Sequence, residues 1–482
     1  MAIGLPAAFF TARRTFPGRR VLLAFSGIPL CVPPVIIALA FVLFYGRQGY
    51  INTFLMRVTG AGEPPLNFLY SLAGVVIAHG FYNFPVVLRT VSQVWERLPE
   101  AEEDAARLLG AGRFRIFRTI TLPRLAPAIL SAAVLVFLYC FFSFIIVLLF
   151  GGVGGTTLEV ELYQAARSSL NFRFAGIIAL TETAAAVCVV VFYTHLQKKL
   201  RDGNSGLQVL RTRPRFRKAG EKTVFALYAV FLLFFFVGPL ASILFRSFTV
   251  YTNDAYSGSV RFGLQAWKTF FSRPGFFPAL ANTCIAGLSA ALISTAAALF
   301  LSFYECLHVS SRKGLKTAFR IIPLMPLAVS SVMLGFGWTL LVPRGNMFVL
   351  ILAQAALAWP FAWTQIQASL GRVPPGILDS ARLLSAGLPD IAFRTLLPLV
   401  KKGIFSGAAF VFAISAGDAS LPLVLSIGGF ENLGLMLYRL MGSYRFSEAC
   451  VCAVVLTLLT GFVFLLQDRE RVPVRSDWGN KE

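Results

Sequence analysis

The chain is poor in charge: Asp, Glu, Lys and Arg make up 14% of its 482 residues, against roughly a quarter in soluble domains. That shortage excludes an ordinary water-soluble globule. There are three histidines, His79, His195 and His308, far apart in sequence, and no Cys-x-x-Cys pair among the seven cysteines. Neither a zinc site nor a disulfide framework is expected, and the cysteines read as small buried hydrophobes. A phosphate cradle of the form GxxxxGK[ST] is missing too. The nearest strings, Gly220-Glu221-Lys222-Thr223 and Gly314-Leu315-Lys316-Thr317, lack the glycine spacing that lets backbone N–H groups surround a phosphate. No metal, no cofactor and no ATP hydrolysis by the chain itself are expected.

What the chain has in abundance is hydrophobic sequence, 57% of its residues. Ten apolar runs recur at about 21–45, 68–90, 126–150, 176–196, 223–247, 278–303, 319–342, 347–369, 403–430 and 449–467. Each approaches the roughly 20 residues that cross a bilayer as a helix. The expected fold is an all-α polytopic membrane protein with about ten full crossings. The net charge of +22 lies between the runs and alternates. The segments before 21, at 91–125, 198–222, 304–318 and 371–402 are rich in Arg and Lys, and the segments between them are not. By the positive-inside rule the basic set faces the cytoplasm. The surplus charge is thus topology and argues against nucleic acid as a partner.

Sliding the chain on itself by 275 positions aligns 97–133 with 372–408 without a gap. Fifteen identities fall in thirty-seven positions, among them Asp104 on Asp379, Arg107-Leu108-Leu109 on Arg382-Leu383-Leu384, Ala111-Gly112 on Ala386-Gly387 and Leu122-Pro123 on Leu397-Pro398. Much of this stretch is polar loop, so shared hydrophobicity does not explain it. Two homologous halves are expected, 1–200 and 222–482, the second with its core at about 278–467, joined by a basic linker at 201–221. The offset spans an even number of crossings, so the repeat is parallel, about an axis along the membrane normal.

The repeated loops read DAARLLGAGRFRIFRTITLP at 104–123 and DSARLLSAGLPDIAFRTLLP at 379–398. An acid opens a short helix with an Asp/Arg pair at i,i+3, a flexible Ala-Gly follows, and a second short amphipathic piece is expected to end at Leu-Pro. The product is a helix-turn-helix elbow with small residues on its surface. This pattern resembles the EAA loop of the inner-membrane permeases of binding-protein-dependent ABC importers, approximately EAA-x3-G-x9-I-x-LP. The matching positions are Asp104, Ala105, Ala106, Arg107, Gly110, Gly112, Leu122 and Pro123 in the first copy. In the second they are Asp379, Ser380, Ala381, Arg382, Ser385, Gly387, Leu397 and Pro398. Both copies replace the leading Glu by Asp, and Ser385 stands where the first copy keeps Gly110. The resemblance implies that each elbow docks on a separate ABC ATPase, two copies per permease, and that an extracytoplasmic solute-binding protein delivers a small-molecule substrate.

Polar groups within apolar runs mark candidate residues of the translocation path: His79, Asn83, Glu182 and Asp418. For His79 and Asn83 an interhelical hydrogen bond, worth about 1 kcal/mol, is the plainer alternative. Asp418 has Ser143 as its repeat partner. The strings YGRQGY at 45–50, HGFYNFP at 79–85, CFFSFIIVLLFGG at 140–152 and TTLEVELYQA at 156–165 resemble the fused permeases of thiamine importers. Fused ferric-iron permeases share much of this layout and polyamine permeases less. An ion-driven secondary transporter would also show parallel repeats, but has no need of a repeated elbow. The opening MAIGLPAAFF aligns in character with Ala296–Leu301. The first half is therefore expected to begin partway through a helix, with a longer gene start upstream.

Overall fold

The computed structural model describes residues 1–19, 22–23, 32–151, 155–202, 214, 216, 219–251, 260–308, 319, 322–342, 344–383 and 387–469. Most of the expected linker 201–221, and Ser385, lie outside the described residues.

The first stretch opens with α1 (Gly4–Arg13), α2 (Pro34–Tyr45) and α3 (Tyr50–Thr59). Pro33 and Pro34 start α2, where a proline's missing N–H costs no bond. Then come α4 (Leu72–Trp95), α5 (Glu100–Leu108), α6 (Arg113–Ile116) and α7 (Leu122–Phe141). α8 (Ile145–Phe150), α9 (Leu158–Arg167) and α10 (Phe172–Asp202) complete it.

After the linker come α11 (Ala219–Ser247), a two-stranded antiparallel hairpin of β1 (Thr249–Tyr251) and β2 (Val260–Phe262), α12 (Gln265–Phe271) and α13 (Phe276–His308). The remainder is α14 (Ser331–Leu341), α15 (Met347–Leu370), α16 (Pro375–Leu383), α17 (Leu388–Asp390), α18 (Leu397–Gly417), α19 (Ser420–Leu425), α20 (Leu433–Gly442) and α21 (Phe446–Arg469). Side-chain caps fix several starts. Asn346 Oδ1 accepts from Val349 N at 2.8 Å, and Asn432 Oδ1 from Leu435 N at 2.8 Å.

Element boundaries carry the offset of 275. Shifted by it, Leu72–Trp95 becomes Met347–Leu370, Glu100–Leu108 becomes Pro375–Leu383, Ile145–Phe150 becomes Ser420–Leu425 and Leu158–Arg167 becomes Leu433–Gly442. Packing repeats as well. α4 sits on α1 and α7, and α15 on α13 and α18. α11 packs against both α2 and α21, joining the two stretches. One buried apolar cluster runs through both, taking in Phe41, Phe81, Phe235, Val411, Phe412 and Leu440.

Among the described residues nine helices are long and apolar enough to cross a membrane, or ten if a bent pair is counted as one span. That bent pair corrects the reading of 319–342 as a straight crossing: Ile322–Ala328, a 3-10 helix, meets α14 at 92°. Pro323 and Pro326 explain the break, since each removes a helical donor. The runs 126–150 and 403–430 are interrupted too, because α7 ends at Phe141 and α18 at Gly417. In lipid such non-helical backbone is tolerated only where protein or a cavity surrounds it.

Candidate functional site

Both interruptions open onto one cavity of about 270 Å³, lined by residues of the two stretches. Its walls obey the repeat: His79 is the counterpart of Gln354, Tyr82 of Leu357, Tyr139 of Ile414 and Ser143 of Asp418, and all eight line the cavity. Phe142 and Phe144 add aromatic surface. His79 Nε2 lies 2.8 Å from Ser143 Oγ. In the equivalent place Gln354 Nε2 lies 3.5 Å from Asp418 Oδ2 and donates to Ser415 O at 3.1 Å.

The second break is held open by its own side chains. Asp418 Oδ1 accepts from Ser420 N at 2.9 Å and thereby starts α19. Asn432 Nδ2 donates to Asp418 O at 2.9 Å. Gly417 permits the approach of the first stretch, for a Cβ there would stand 2.1 Å from Pro33 Cγ. Among the described residues no hydrogen-bond partner reaches Gln354 Oε1 or Ser415 Oγ, both buried beside the cavity. An orphaned buried acceptor costs roughly 1–3 kcal/mol unless something enters to satisfy it.

His79 and Asp418 are therefore brought together. Asn83 is not in this cavity. It lies one turn below His79, donating to His79 O at 3.1 Å, and borders a second, apolar cavity of about 720 Å³ that His79 also reaches. Glu182 stands apart on α10, wholly buried, with Glu159 of α9 as its electrostatic neighbour. Gln354 and Ser415 were not among the polar residues singled out from the sequence. The offset applied to His79 points directly at Gln354.

The elbows form at the expected places with two corrections. Their first helices begin four residues earlier, at Glu100 and Pro375, so Asp104 and Asp379 lie mid-helix. Asp104 still pairs with Arg107, Oδ1 to Nη1 at 2.6 Å. The second piece does not stop at Leu-Pro. Through a π-helical turn at Phe117–Thr121, and again at Ile391–Leu396, it runs on into α7 and α18. The wider turn clears the rings of Pro123 and Pro398 from the preceding carbonyls, and both prolines sit at the second helical position.

Ala105, Ser380, Gly112, Gly387 and both prolines are exposed, while Ala106, Ala381 and Leu397 are half-buried. Gly110 closes α5 with φ +80°, the left-handed region that glycine enters without strain. At the tips Leu108 is 89% and Leu383 85% exposed, large apolar side chains at equivalent positions.

Glu103, one residue ahead of the first elbow's motif, is 2% exposed. Arg13 grips it with both guanidinium ends, Nη1 to Oε2 at 2.8 Å and Nη2 to Oε1 at 2.6 Å, and Thr121 Oγ1 donates to Oε1 at 2.9 Å. Burial pushes the Arg13 guanidinium below its ordinary pKa and Glu103 opposes that shift. Composition gave no signal for this contact, because Glu103 sits in the acidic string Glu100-Ala101-Glu102-Glu103-Asp104.

Residues 4–202 match the family of binding-protein-dependent transport system inner membrane components. The chain is 25% identical to the thiamine transport system permease protein of Escherichia coli K12, over 98% of this chain and 86% of the relative. It is 28% identical to the protein of that description in Brucella abortus 2308, over 97% and 83%. The molybdenum transport system permease protein of E. coli K12 is 36% identical over 28% of this chain and 58% of its own length. Over nearly its whole length the chain is thus similar to permeases of binding-protein-dependent importers, and it is a multi-pass protein of the bacterial inner membrane.

Proposed function

We propose that the chain is the fused permease of an ATP-driven thiamine importer. Residues 1–200 and 222–482 act as its two halves, with 201–221 as a cytoplasmic linker. Substrate arrives from an extracytoplasmic binding protein, and the elbows 104–123 and 379–398 dock on two copies of a separate ATPase. The observation that carries the transport reading is the repeat-related pairing at one cavity, His79 with Ser143 and Gln354 with Asp418. A path shared by two halves runs along their common axis, where equivalent residues meet.

Thiamine is supported by the two-half relatives and by the chemistry of the cavity. Its thiazolium carries a positive charge that suits Asp418 and the faces of Tyr82, Tyr139 and Phe144. Its aminopyrimidine carries N–H donors that Gln354 Oε1 can accept. A bare ferric ion would call for several anionic oxygens, and among the described residues this cavity offers one carboxylate.

The elbow reading is supported by the exposed Leu108 and Leu383, which leave apolar tips for a partner's groove. Movement of the ATPases would then be passed through the continuous helices from Arg113 and Leu388 into the cavity-lining α7 and α18.

The test is ATP hydrolysis by the permease–ATPase complex in lipid nanodiscs, with its binding protein loaded with thiamine or with ferric iron. Stimulation of several-fold by the thiamine-loaded protein alone is expected. Stimulation by the iron-loaded protein alone would overturn the substrate, and stimulation by neither would overturn both substrates.

A further inference from the structure

The two elbows are fastened to the membrane helices by different chemistry. In the first, Glu103 is the centre of a buried polar knot with Arg13 and Thr121, and Arg107 Nη2 lies 3.7 Å from its other oxygen. Arg13 also stands 6.0 Å above the ring of Trp95, which stacks on Phe117 of the elbow. The offset carries Glu103 to Leu378 and Thr121 to Leu396. Those two belong to an apolar cluster with Phe303, Ile391 and Val400, and Cys306 and Leu307 at the end of α13 pack against it. Among the described residues the end of α13 meets the second elbow through Cys306 and Leu307, where the end of α1 meets the first through Arg13.

Arg13 does not act alone. Arg14 pairs with Glu221 at the start of α11, and Arg19 Nη2 with Glu96 Oε1 at the end of α4, at 2.7 Å. Three arginines on seven residues therefore bind the first elbow, the helix leading into it and the helix that follows the linker. α11 in turn packs on α2 and α21, so this clasp is continuous with both stretches.

We infer that Arg13 and Glu103 are positioning residues of the first elbow: their buried ion pair sets the angle at which that elbow meets its ATPase, while the second elbow is set, among the described residues, chiefly by apolar packing. This rests on the docking of the elbows proposed above. A bidentate arginine–carboxylate pair fixes direction as well as distance, because both groups are planar. An apolar cluster tolerates a rocking motion that such a pair forbids, and the first elbow is accordingly the stiffer of the two.

The experiment uses the full permease with its ATPase in nanodiscs, with a photo-crosslinking amino acid at Leu108 or Leu383. Wild-type chains should crosslink to the ATPase from both positions. Glu103→Gln and Arg13→Gln should each lower the yield from Leu108 at least five-fold and leave that from Leu383 within two-fold, which also reports that the protein is folded. The exchange Arg13→Glu with Glu103→Arg should restore at least half of the Leu108 yield. An unchanged Leu108 yield, an equal fall at both elbows, or no restoration by the exchange would overturn the anchoring role. Absence of crosslinks from both positions in the wild type would instead overturn the docking of the elbows itself.

Discussion

His79 and Gln354 occupy the same place in the repeat, and each directs its polar head at the residue 64 positions further along, Ser143 or Asp418. The two halves have kept the geometry of the pair and changed its charge. One side of the cavity offers a neutral hydroxyl and an imidazole, the other a carboxylate and an amide. On the proposed function, a cation entering between them would be held toward the second half.

Replacing Asp418 by Asn keeps the oxygen that accepts from Ser420 N and removes the charge. A hydrogen bond to a charged group contributes roughly 1.5–3 kcal/mol, so thiamine uptake should fall at least about ten-fold. Ser143→Ala deletes one neutral bond and should reduce uptake only a few-fold. Initial rates of labelled thiamine entry, normalised to the amount of inserted permease, compare the two. Equal effects would remove the charge asymmetry from the account.

His79→Gln makes the first half resemble the second, and transport should persist within about three-fold. His79→Leu leaves Ser143 Oγ without its 2.8 Å partner and should lower thermal stability by about 1 kcal/mol as well as slowing uptake. Unfolding followed in detergent, alongside uptake, separates the two effects.

Gly110 and Gly112 are two residues apart and conformationally opposite, φ +80° and −67°. Ala at 110 must enter the left-handed region, at a cost of roughly 1–2 kcal/mol; Ala at 112 need not. ATP hydrolysis stimulated by loaded binding protein should drop for Gly110→Ala and stay near wild type for Gly112→Ala. A reversed order would be incompatible with the turn described here.

Any side chain at 417 collides with Pro33, whose Cγ would lie 2.1 Å from the new Cβ. Gly417→Ala should therefore destabilise the protein by about 1–3 kcal/mol, the usual cost of overpacking, and lower its melting temperature without affecting membrane insertion.

Much of this was legible in the sequence because the repeat is written in residues that turn and cap, such as Asp104, Gly112 and Pro123 with their partners 275 positions on. The breaks after Phe141 and Gly417 were hidden because the apolar composition continues unchanged on both sides, Phe142 and Phe144 flanking Ser143. The 92° bend before Ser331 had its prolines in view, but length made 319–342 read as a single crossing. Gln354 was overlooked because the offset of 275 was not carried from His79 to its partner. Glu103 was overlooked because its partner, Arg13, is 90 positions away and only packing joins them.

As proposed, thiamine enters through the cavity shared by the two halves, on ATP hydrolysed by a partner. The most direct measurement is uptake of labelled thiamine into proteoliposomes holding the permease and its ATPase, with binding protein outside and ATP inside. Saturable uptake that requires ATP and binding protein, and that Asp418→Asn reduces at least about ten-fold, is the predicted result. Uptake driven by an ion gradient without ATP, or ATP-dependent entry of ferric iron and not thiamine, would contradict it.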